Sequence, residues 1–222
     1  MKRRSVLTGG GVAGGLLLSG CAGFRGGWES MPYVGEVPPE PSTARSTHES
    51  VARRELRLPG VTLNVHLRNA DRTWDTQVWF FVVPMMIDPR TERHDVLVPG
   101  MTQVGLSVSA LAAPAVLQAR QARLVVDGRV TAASAALEFD RWDSEGRRSR
   151  TEGLWEHRPL PEPHRLTPGP GTHILRLDFP VAAPDPQATG TALDLSDALR
   201  IEGQPALPLI RFQPQRWRGA YG

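Results

Sequence analysis

The 222-residue chain has one cysteine, Cys21, and one lysine, Lys2. A single thiol excludes an intrachain disulfide and a cysteine-rich zinc site, so the fold must hold by its core alone. Long apolar runs are missing as well. The first one, residues 5 to 20, is shorter than the ~20 residues a bilayer core requires and is diluted by Gly9, Gly10, Gly11, Gly14 and Gly15. No strand-helix alternation suggests a doubly wound enzyme. No Gly-x-Ser-x-Gly elbow occurs, because "GLSVS" around Ser107 lacks the second glycine. The glycine-rich run near the start of the chain lies within a leader, so it cannot cradle a phosphate.

That leader has three parts: the cationic "MKRR", the apolar stretch to residue 20 and a small-residue site, the pattern of a secretory signal. It ends on Leu18-Ser19-Gly20-Cys21. "LSGC" resembles the lipobox of bacterial lipoproteins, and this resemblance implies that the signal is removed, that Cys21 becomes the acylated first residue, and that no free thiol remains. Ala22 behind the cysteine implies release to the outer membrane of a two-membrane bacterium, with the domain facing the periplasm. "RRSVL" (Arg3 to Leu7) resembles a twin-arginine export signal, although an ordinary basic leader accounts for the same residues. Lys2, Arg3 and Arg4 supply the whole formal excess of three positive charges, so the mature chain is neutral. A nucleic-acid partner, which would need a basic face on the mature domain, is therefore not expected.

Residues 21–54 are rich in Gly, Pro, Ser, Thr and Glu and read as a flexible tether, with Trp28, Met31 and Tyr33 either at the lipid interface or docked on the domain. Residues 55–222 read as one domain of strands. "VTLNVHLRN" alternates apolar and polar residues with period two, and "TQVWFFVVP" is apolar on both parities. Further strands are expected at 103–110, 122–127, 130–139, 151–158, 172–179 and 206–212, with turns at "VDGR", "DSEGR" and "TPGPG". Seven or so short strands predict an all-β domain, a two-sheet antiparallel sandwich of immunoglobulin-like architecture, with a short helix or two in loops.

The chemistry is sparse. No histidine pair has ligand spacing. Met85, Met86, His94 and Met101 form the one soft-ligand cluster, suited to copper, although methionine beside a strand end is more often core filler. Asp140, Asp143 and Glu145 lack calcium-loop spacing and read as a charged hairpin. "RPLPEPHRLTPGPG" reads as an extended proline-rich loop, either a rigid connection between strands with the aromatics in the core or a docking element for which Trp142, Trp155, Arg158 and Pro161 are the candidate partner-binding residues, their types being enriched at interfaces. The sum is a lipid-anchored envelope module with a protein partner, no cofactor and no identifiable catalytic residue. A copper or small-ligand carrier and an envelope hydrolase are the alternatives.

Overall fold

The computed structural model describes residues 22–40, 54–69, 72–78 and 99–221. Their strands in chain order are β1 (Ala22–Val34), β2 (Glu55–Leu58), β3 (Val61–Arg68), β4 (Arg72–Val78), β5 (Thr102–Ser109), β6 (Ala115–Leu117), β7 (Arg123–Val126) and β8 (Arg129–Ala132). They continue with β9 (Ala135–Trp142), β10 (Leu154–Pro159), β11 (His164–Leu166), β12 (His173–Phe179), β13 (Ala192–Asp194), β14 (Leu199–Ile201) and β15 (Ile210–Tyr221). The only helix among the described residues is a single 3₁₀ turn, Ala119–Gln121.

Two six-stranded sheets make an antiparallel β-sandwich, one ordered β4-β1-β15-β13-β7-β8 and the other β10-β9-β12-β5-β3-β2. A third sheet, β11-β6-β14, adds Ala115, Leu117, Leu166, Leu199 and Ile201 to the same core. Period-two patterning works as expected in β3: Val61, Leu63, Val65 and Leu67 are buried while Thr62, Asn64 and His66 are partly exposed. Leu106, Leu175, Leu177 and Phe179 from the same sheet meet Leu124, Leu193, Ile210 and Phe212 from the other. Each such side chain contributes about 1.5–3 kcal/mol by leaving water. At "VDGR" the β7–β8 turn has Asp127 at φ 51° and Gly128 at φ 75°, the paired positive angles that a two-residue hairpin needs.

Three expectations need correction. Residues 22–34, assigned to the tether, form β1, which pairs with β15 from Gly23–Tyr221 to Val34–Ile210 and with β4 from Ala22–Val78 to Trp28–Arg72. Its three glycines and Pro32 hide the period, and its partner lies almost two hundred residues away. Of the three exceptions in that stretch, Met31 is buried on the domain. Asn69 Nδ2 donates to Ser30 Oγ at 2.9 Å and to the Pro184 carbonyl at 3.2 Å, and Arg54 holds Glu29 at 2.5 Å. The expected strand 130–139 is two, because Ala133 and Ser134 turn between β8 and β9. The strand count is also well above seven, since strands of three or four residues such as β6, β11, β13 and β14 hold too few alternations to show a period.

Candidate functional site

The residues expected to bind a partner converge on the β9–β10 hairpin, where the register sets Trp142 opposite Leu154, Arg141 opposite Trp155 and Glu138 opposite Arg158. Alternation therefore separates them. Trp142 and Arg158 lie on the face that Ala136 buries in the core, and Trp155 lies on the outer face. Pro161 is exposed in the loop beyond the hairpin. The four residues do not form one surface.

The outer face carries a ladder of upright rings. Trp155 stacks on Phe139 with centroids 5.5 Å apart, and Phe139 meets His157 at 4.9 Å. Arg141 places its guanidinium 5.3 Å from the centre of the Trp155 ring. Cross-strand pairs of this kind hold a hairpin together, yet Trp155 is still 55% exposed and Leu154 beside it 75%. Ile174 is exposed on the same outer face, on β12. Burial and the nearby Arg176 and Arg68 hold the His157 imidazole below its ordinary range, so it stands neutral in the ladder at neutral pH. Further along the same sheet His66, on β3, is lowered to about 3 by burial first and by Arg54 and Arg68 second.

The inner face is built around Glu138, a carboxylate only 2% exposed. Arg148 pairs with it directly and reaches Asp140 at 3.5 Å, while His173 Nδ1 stands 3.6 Å from Glu138 Oε1. His164 lies close enough to feel Glu138 and Arg148, and burial is the main cause that lowers its basicity. The indole of Trp142 lies among cations, with Arg158 5.0 Å and Arg148 5.8 Å from the ring centre, and donates to the Glu156 carbonyl at 3.2 Å. The loop that brings Arg148 back over this face closes at Gly153, with φ 98°, where a Cβ would lie 1.9 Å from the Trp142 carbonyl oxygen. Sequence reasoning passed over Glu138. The signal was there, an acid on the same parity as buried Ala136, and such a group must find a cation.

The acids of "FDRWDSEGRRSR" are occupied by the turn itself. Asp143 Oδ1 accepts the backbone N–H groups of Glu145 at 2.9 Å and Arg147 at 2.8 Å, and the Arg147 bond is the chief reason its carboxyl titrates below the usual range. Glu145 is paired with Arg147 at 2.6 Å. Among the described residues no group of three or more His, Cys, Asp or Glu side chains could hold a metal. Cys21, Met85, Met86 and His94 lie outside the described residues, and Met101 is half-buried just ahead of β5.

Elsewhere, a groove of about 470 Å³ on the third sheet has Arg165 and Arg200 on either side of Val116. Arg200 is already held by Asp197 at 2.8 Å and Glu202 shares the wall, which weakens the groove as an anion site. Among the described residues no helix is long and apolar enough to cross a membrane. No family model, no curated protein and no solved structure matches this chain.

Proposed function

We propose that the protein is a lipid-anchored envelope module, held to the outer membrane through Cys21, whose β10 edge receives an extended strand from a protein partner in the periplasm. The observation that carries the binding element is local. Leu154 and Trp155, two large apolar side chains left in water, are neighbours on an edge strand whose free side meets no other strand among the described residues. An open edge offers backbone donors and acceptors, and apolar side chains on alternating faces supply the pockets and anchors that strand addition uses. Two other edges serve less well: β2 is charged, with Glu55 and Arg57 paired at 3.0 Å, and β8 is four residues long.

In-cell crosslinking of the intact protein, followed by isolation from the membrane fraction, tests the partner. Recovery of one envelope protein in stoichiometric yield, lost when Leu154→Ser and Trp155→Ala are combined, is the expected result. Recovery of the protein alone, or unchanged capture by the double variant, overturns the reading. The anchor has a separate test. Cys21→Ala should abolish incorporation of labelled palmitate, and persistent labelling overturns the acylation site.

A further inference from the structure

Gly105 stands in the middle of β5, the strand between β3 and β12, and the fold gives no reason for a glycine there. Its backbone runs extended, without the positive φ of the turn glycines. Among the described residues a Cβ would meet only the Cβ of His66 at 3.7 Å and its carbonyl oxygen at 3.8 Å, which is ordinary van der Waals contact. A glycine inside a strand gives up chain entropy and packing that alanine would keep, and it often marks a place where a ligand or another backbone comes close. Both edges of β5 are already paired, so no strand can be added here and the approach must be to the outer face of the sheet.

The register sets His66 on one side of Gly105 and Arg176 on the other, so the missing side chain leaves a shallow floor between an imidazole and a guanidinium. Arg176 is already neutralised by Asp178 at 2.9 Å. Arg68 is exposed and leans over β5, where its Nη1 donates to Gln103 Oε1 at 3.3 Å, and it has no carboxylate partner among the described residues. These three charged groups leave the floor with one net positive charge. His157, lowered by burial first and by Arg176 and Arg68 next, feels the same field. The exposed Ile174 and Arg68 lie one row to either side of Gly105, each ~7 Å along the strand. We infer that this floor binds a small molecule with a carboxylate on an apolar chain, the carboxylate on the Arg68 guanidinium and the chain crossing Gly105 toward Ile174. The planar fork of an arginine matches a carboxylate in two parallel hydrogen bonds. A single net charge suits a monoanion, whereas a phosphate dianion would stand uncompensated near Asp178. The site depends on neither the anchor at Cys21 nor the β10 edge.

The imidazole protons of His66 and His157 report on the floor by NMR, in the intact protein in detergent at constant ionic strength. Hexanoate is the probe, with hexylammonium as its charge-reversed counterpart and inorganic phosphate as the dianion. Hexanoate should shift the His66 ring signals saturably, and hexylammonium should not. Arg68→Gln, which removes the charge-assisted pair, should raise the hexanoate midpoint about tenfold or more. Gly105→Val, which fills the floor, should raise it as far. Gly105→Ala should melt no lower than the parent, because a methyl group fits the space and alanine holds a strand better than glycine. Shifts that grow without saturating, equal shifts with hexylammonium, or a midpoint that Arg68→Gln leaves alone would overturn the site. Tighter binding of phosphate than of hexanoate overturns the monoanion. A lower melting temperature in Gly105→Ala makes the glycine a requirement of the fold and removes the ground for the inference.

Discussion

The two faces of the β9–β10 hairpin use the same strands for opposite ends. Inside, Glu138 spends its charge on Arg148 with His173 close by, and Trp142 is boxed by two arginines. Outside, Trp155 and Phe139 stack in the open, with Arg141 at one end of the ladder and Arg176 near its His157 end. The difference teaches that polarity alone does not mark the working surface of this sandwich. Its polar cluster around Glu138 is structural, and the exposed Trp155 is the group that the proposed partner would cover.

Substitutions on each face can break that contrast. Arg148→Ala should have the largest effect, lowering stability by about 3 kcal/mol because the Glu138 carboxylate, 2% exposed, loses the cation that satisfies it. Urea denaturation would show this, and a loss below ~1 kcal/mol would mean that the inner cluster is dispensable. Next comes acid sensitivity of the outer face of the same sheet. His66 has a folded value of about 3, far below its ordinary 6.5, so the unfolded chain binds the proton first and stability falls as pH drops from about 6.5 toward 3. Above pH 7 this contribution is flat. His66→Gln should remove part of the slope, up to ~1.4 kcal/mol per pH unit, and an unchanged pH profile of melting temperature would sink the assignment.

Trp155→Ala should cost only about 1 kcal/mol, the worth of its ring contacts, while abolishing partner capture. A collapse of the fold in this variant would move the outer ladder into the same class as the inner cluster. Smallest of all, Glu145→Ala should shift the melting temperature hardly at all, since the Glu145–Arg147 pair is exposed on both sides and such pairs contribute ~0.5 kcal/mol or less.

How far the sequence foretells these faces depends on the range of the interaction. β3, β5 and β12 were legible because seven or eight residues give several alternations and their apolar parity has one destination. The "VDGR" turn was legible because its chemistry is complete within four residues. β1 was not, since Gly26 and Gly27 carry no side chain to reveal a face and the ladder partner is at the far end of the chain. Trp142, Trp155 and Arg158 are near one another in sequence and fall on one hairpin, but their division between faces follows from the register of β9 with β10, which turns on Gly153 and a loop return that no spacing rule encodes. Glu138 was readable from parity, whereas its cation, Arg148, arrives only when the loop folds back.

The pairing of β1 with β15 also sets a clock. The ladder runs from Gly23 with Tyr221 to Val34 with Ile210, so β1 stays without this neighbour, though not without β4, until residues 210–221 have been made and delivered. Closing so long a loop is costly in chain entropy and slow. Until then an edge rich in glycine and aromatic residues stands open. Loss of residues 213–221 would forfeit the completion of an entire sheet, so the docking of β15 is the step at which this sheet is committed.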